Sequence, residues 1–133
     1  MRKDRRMEFD QYQASAHCTE APITAELLAR FTPDLIRLWH GACGLCTEVG
    51  EFQDALKAHC FYGKPLDAVN LAEEIGDIMW YMALVANTLG IDLADIAAKN
   101  IAKLRTRYPA KFSKHDATNR RLDAERKILE GTP

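Results

Sequence analysis

Apolar positions along this chain recur three and four residues apart, the period of a helix with one buried face, and no stretch alternates convincingly as a strand would. The longest such stretch predicts a helix from about Pro33 to Cys60, with a stripe of Leu35, Leu38, Trp39, Ala42, Cys46, Val49 and Leu56. The next predicts a helix from about Ala68 to Leu89. Its stripe of Leu71, Ile75, Ile78, Met82, Val85 and Leu89 advances by alternating steps of four and three, as in helices that pack nearly parallel to their neighbours. A turn at Gly63-Lys64-Pro65 joins the two. A further helix runs from about Leu93 to Tyr108 and stops before Pro109, and a shorter one around Phe9 to Thr19 precedes a connector containing Pro22.

Three of these helices begin in the same way. Thr32, Asp67 and Asp92 stand at N-cap positions, where a side-chain oxygen accepts from a free backbone N–H. Each has an apolar residue before it and another four residues into the helix: Phe31 with Ile36, Leu66 with Leu71, Ile91 with Ile96. Pro33 adds a preset first helical residue, and Gly90 supplies a C-terminal stop. The expectation is an all-α bundle of four to five helices. Residues 1–8 form a basic leader expected to be disordered, with Met7 a candidate natural start. Residues 9–112 form the domain, and 113–133 a polar tail or short helix carrying Leu122, Ile128 and Leu129.

At 133 residues, 47% hydrophobic and 28% charged, the chain has ordinary globular composition and the length of one domain. A net charge of −1 provides no basic field for nucleic acid or an anionic membrane. The longest apolar run, Ile78 to Ala86, is too short for a membrane span, and no signal core follows the basic start, so a cytoplasmic protein is expected. In that compartment Cys18, Cys43, Cys46 and Cys60 are expected to be reduced and buried. Cys43 and Cys46 have the spacing of half a zinc site, but no second pair follows.

The chemistry is concentrated in two acidic pairs, Glu48 with Glu51 and Glu74 with Asp77. Residues three apart share a helical face, so each pair aims two carboxylates in one direction, and a hairpin of the two helices brings all four to one spot. Small residues (Gly44, Ala55, Gly76) leave room beside them, and apolar neighbours place them at the border of the core. Clustered like charges call for a counter-ion, and an oxygen-only set favours a hard cation, Mg²⁺ or Mn²⁺. No histidine stands three residues after a glutamate, which disfavours a ferritin-like di-iron site. Lys99, Lys103 and Arg107 recur every four residues along the last helix beside Asn100 and Tyr108, a stripe able to neutralise phosphate. Asn100, among Ala97, Ile101 and Leu104, is expected to be partly buried.

Four segments, Gly44–Glu51, Phe61–Asp67, Glu73–Tyr81 and Asn100–Pro109, together closely resemble the MazG-like nucleotide pyrophosphohydrolases, in particular the small single-domain type of phages and bacteria. The resemblance covers about residues 9 to 120. It implies an all-α fold assembled as a dimer or dimer of dimers in a bacterial or phage-infected cytoplasm. It further implies Mg²⁺-dependent cleavage of a (deoxy)nucleoside triphosphate between the α- and β-phosphates, with Mn²⁺ able to substitute. By motif match, Glu48, Glu51, Glu74 and Asp77 are the implied metal ligands, Glu48 and Glu51 the catalytic candidates, and Lys64, Asn100, Lys103, Arg107 and Tyr108 the substrate contacts. The family often carries an acid where this chain has Thr47, which leaves the general base open between Glu48, Glu51 and water activated by the cation. Analogy favours a purine such as dGTP or GTP slightly. Tyr12, Gln13 and Thr19 are candidates for the base pocket, joined by Trp39 or Trp80 if either lies outside the core, where both are expected. Two other readings compete: a non-catalytic helical dimerisation module with a structural cation site, and a hydrolase of a nucleoside diphosphate or alarmone.

Overall fold

The computed structural model describes residues 8–131, and these are all-α, with seven helices and no strand among them. Most of the basic leader, with Met7, lies outside the described residues. The chain divides into two compact units, one reaching Thr32 and one beginning at Pro33.

The first unit holds α1 (Phe9–Cys18) and α2 (Ala25–Ala29). The short α2 was not foreseen, although its signal is present: Thr24 caps it, its Oγ1 accepting from Leu27 N–H at 3.1 Å. Pro22 and the connector's length obscured one turn of helix.

The second unit is built on a hairpin of α3 (Pro33–Tyr62, 30 residues) and α4 (Ala68–Leu89, 22 residues). The turn between them needs Gly63, whose φ of 68° lies in the left-handed region. Lys64 N–H then donates back to the Ala58 carbonyl at 3.2 Å, and His59 Nδ1 donates to the Lys64 carbonyl at 2.8 Å. Asp67 starts α4, accepting from Val69 and Asn70 N–H at 3.0 and 3.1 Å. Gly90, at φ 67°, stops it. Asp92 caps α5 (Leu93–Arg107), whose axis lies at 99° to that of α4.

The polar tail forms two helices, α6 (Lys114–Thr118) and α7 (Leu122–Glu130), and α7 packs on α5. That contact is held by Glu125, 3% exposed, which accepts from Arg107 Nε and Nη2 at 2.9 and 2.5 Å and from Arg120 Nη2 at 2.8 Å.

Gly41 and Gly44 set the approach of α3 to α4. A Cβ on Gly41 would stand 2.4 Å from Val85 Cγ2, and one on Gly44 would stand 2.2 Å from Tyr81 Cε1. The hairpin is therefore antiparallel with 41 opposite 85 and 44 opposite 81, a register that puts Glu48 opposite Asp77. Around this seam one chain buries little. Ala86 is the buried apolar residue among those described, and Trp39 and Trp80 are 57% and 58% exposed. The expectation that both tryptophans sit in the core is thus corrected, because two helices share a single seam and leave the rest of each stripe outside it. The four cysteines are likewise free and exposed rather than buried, since they fall on the outer flanks of their helices. Among the described residues, no single helix is long and apolar enough to cross a membrane.

Candidate metal and nucleotide site

One turn beyond the Gly44–Tyr81 contact, the hairpin register brings three carboxylates together. Oxygens of Glu48, Glu74 and Asp77 lie within 4.8 Å of one another. Glu74 is buried at 5% exposure, Glu48 is half-buried and Asp77 is exposed, so the group opens outward from the seam. The Glu48 carboxyl is pushed above its usual range, first by desolvation, then by the charges of Glu51, Asp77 and Glu74 and a hydrogen bond with Glu74. The strain of three converging carboxylates, all hard oxygen donors, is what a divalent cation relieves, so the residues fit the implied Mg²⁺ or Mn²⁺.

Glu51 stands outside this triad. It is exposed and lines an adjoining recess of about 300 Å³ with Lys64, Asn70 and Glu74 among its walls. Asn70, not singled out from the sequence, donates from Nδ2 to Glu74 Oε1 at 2.9 Å. Its sequence signal was an amide four residues before an acidic pair, weak by itself. Thr47 Oγ1 donates to the Cys43 carbonyl at 3.1 Å, so its hydroxyl is committed to its own helix.

The basic stripe lies elsewhere in the same chain. Beyond Asp77, α4 runs on for roughly 18 Å, and Lys103 lies roughly 15 Å along the near-perpendicular α5. Asn100 and Lys103 line a groove of about 650 Å³ with Met79, Met82 and Ile96 in the elbow of the two helices. Met79 stands about half a turn round α4 from Asp77, so this groove and the acids look in different directions. Asn100 is exposed rather than partly buried as expected, because the bend at Gly90 turns α5 away from the hairpin seam. Lys99 pairs with Asp95 at 3.0 Å. Arg107 is engaged by Glu125, and the Tyr108 ring lies beneath its guanidinium at 5.8 Å.

An all-α hairpin with a carboxylate cluster at its seam and a basic helix beyond it is of the class whose donors suit a cation and phosphate. The comparisons make that class specific: residues 42–112, more than half of the chain, match the MazG nucleotide pyrophosphohydrolase domain, and the chain belongs to this family. A 38-residue stretch is also 42% identical to the Gene 37 protein of Mycobacterium phage L5, covering 29% of this chain and 33% of that protein. The chain thus spans about a third of the length of this curated relative. No solved structure matches.

Proposed function

We propose that this protein hydrolyses a (deoxy)nucleoside triphosphate between the α- and β-phosphates, releasing the monophosphate and pyrophosphate, with purine triphosphates such as dGTP and GTP the first to be tested. Family membership supports the reaction type. The single observation that carries it to named residues is the convergence of Glu48, Glu74 and Asp77 within 4.8 Å. Glu48, Glu74 and Asp77 would hold a divalent cation there, which would supply positive charge to the phosphate oxygens and lower the pKa of water. Lys64, in the wall of the adjoining recess, neutralises charge on the outer phosphates. Attack by water at the α-phosphorus breaks the bond to the bridging oxygen of the β-phosphate, which leaves as pyrophosphate. With Thr47 committed to its helix and three acids on the cation, Glu51 is the carboxylate left to take the proton from water.

Asn100 and Lys103 complete the phosphate-binding set from a second copy of the chain. Their own α5 carries them away from the acids of the same chain, and the apolar stripe of Ile75, Met79 and Met82 is 40–58% exposed on α4. A homodimer, or a dimer of dimers, buries that stripe and brings a basic helix to each acidic cluster. The test is a product-resolved panel of the common NTPs and dNTPs with Mg²⁺ or Mn²⁺, EDTA controls and Glu48→Gln. Pyrophosphate and monophosphate that vanish with EDTA and with E48Q are expected; orthophosphate as the first product, or turnover that survives EDTA, would overturn the reading.

A further inference from the structure

Glu74 is among the most buried charged residues described, at 5% exposure. A carboxylate so placed stays ionised only where donors replace the water it has lost. One donor is in place: Asn70 Nδ2, one turn earlier on α4, at 2.9 Å from Glu74 Oε1. The amide cannot be turned the other way round, since its own oxygen would then face the carboxylate oxygen with no proton between them. Asn70 is in turn held at its backbone, its N–H donating to Asp67 Oδ1 at 3.1 Å. A chain of fixed contacts thus runs from the helix cap through the amide to the acid. The Glu74 carboxylate so oriented is the one that joins the cluster with Glu48 and Asp77.

The residue type suits this task. A lysine at position 70 would neutralise the carboxylate and weaken its hold on a cation. An aspartate would repel it and offer a competing ligand. A neutral amide orients it without doing either, as outer partners of metal-binding carboxylates do.

We infer that Asn70 is a positioning residue that fixes the Glu74 carboxylate and sets the affinity of the acidic cluster for its divalent cation. The inference rests on the cation role assigned above to Glu48, Glu74 and Asp77.

The decisive experiment is Mn²⁺ titration of the whole protein, followed by paramagnetic resonance of free Mn²⁺ without nucleotide, on wild type, Asn70→Ala and Asp92→Ala. Asp92 caps α5 away from the acids, so D92A reports the effect of lost stability alone. Loss of an outer partner typically costs 10- to 100-fold in metal affinity. N70A is expected to weaken Mn²⁺ binding by about that factor and to regain turnover when Mn²⁺ is raised in proportion. D92A is expected to lower the melting temperature and leave Mn²⁺ affinity within about twofold of wild type. Wild-type affinity in N70A, or an equal loss in D92A, overturns the role of Asn70 while leaving the cation site standing. Wild-type protein that binds no Mn²⁺ overturns both.

Discussion

At the scale of single residues, the acidic cluster makes stability depend on pH with a definite sign. The Glu48 pKa is raised from 4.5, so the folded state favours its protonated form. That contribution is present in full below pH 4.5 and is lost as pH rises through the raised value. In EDTA the melting temperature should therefore fall on going from acid to neutral pH as far as this group governs it, and Mg²⁺ should restore it more at pH 8 than at pH 5. Melts at the two pH values, with and without the cation, check this; an equal metal effect at both would count against it. The division of labour among the acids is separable too. Glu48→Gln, Glu74→Gln and Asp77→Asn should weaken Mn²⁺ binding and turnover together. Glu51→Gln should keep most of the binding and lose about 10²–10⁴-fold in kcat, the range for a proton-transferring group. Parallel binding and turnover measurements separate the two patterns. All four acids stood out in the sequence because i, i+3 spacing fixes a common helical face. That Glu48, Glu74 and Asp77 converge while Glu51 stands apart, and that Asn70 meets Glu74, was not legible, because it depends on which rotamers the packed seam allows.

At the scale of elements, the α3–α4 seam decides where the acids sit, and its tolerance to substitution follows from what each glycine faces. Gly44→Ala gains helix propensity, worth about 1 kcal/mol, but drives a methyl into the Tyr81 ring. That ring is also packed edge-on against His40 and Trp80 at 5.7 and 4.9 Å, which restricts its escape. Overpacking of this kind costs ~1–3 kcal/mol, so a net loss of up to about 2 kcal/mol is expected. Gly50, six residues on, meets nothing within 4 Å, and Gly50→Ala should raise the melting temperature by the propensity gain alone. Thermal melts of the two variants should move in opposite directions. The docking of α7 has its own pH signature. Arg107 and Arg120 hold Glu125 down to about 2 from 4.5, so its stabilising effect is present above pH 4.5 and fades as pH falls towards 2. Glu125→Gln should melt lower than wild type at pH 7 and lose less on acidification between those limits. Helix starts and the two long helices were readable from caps and period, since both act within a few residues. The partner of α5 was not, because an ion pair across 18 positions leaves no periodic trace.

At the scale of the whole molecule, the apolar stripes and the proposed sharing of the site between two copies lead to one expectation. A hairpin of two helices has one seam, yet both carry apolar residues round far more of their surface, with Val49, Ile75, Met79 and Trp80 each 47–58% exposed. The stripes were legible in the sequence; what covers them was not, because periodicity shows that a face is apolar without saying whose helix meets it. If a second copy meets it, the solution mass should be a multiple of 15.0 kDa, and Met79→Asp should lower both the assembly state and turnover. Oligomerisation alone would not establish that the site is shared, whereas complementation would. Glu48→Gln disables the acidic half of a site and Lys103→Ala the basic half. In a mixed dimer, one site receives both damaged halves and the other receives both intact ones. Half of randomly formed dimers are mixed and half of their sites are whole, so co-refolding the two inactive variants in equal amounts should recover about a quarter of wild-type turnover. If acids and basic helix served one site within one chain, every site in the mixture would keep one broken half and nothing would be recovered.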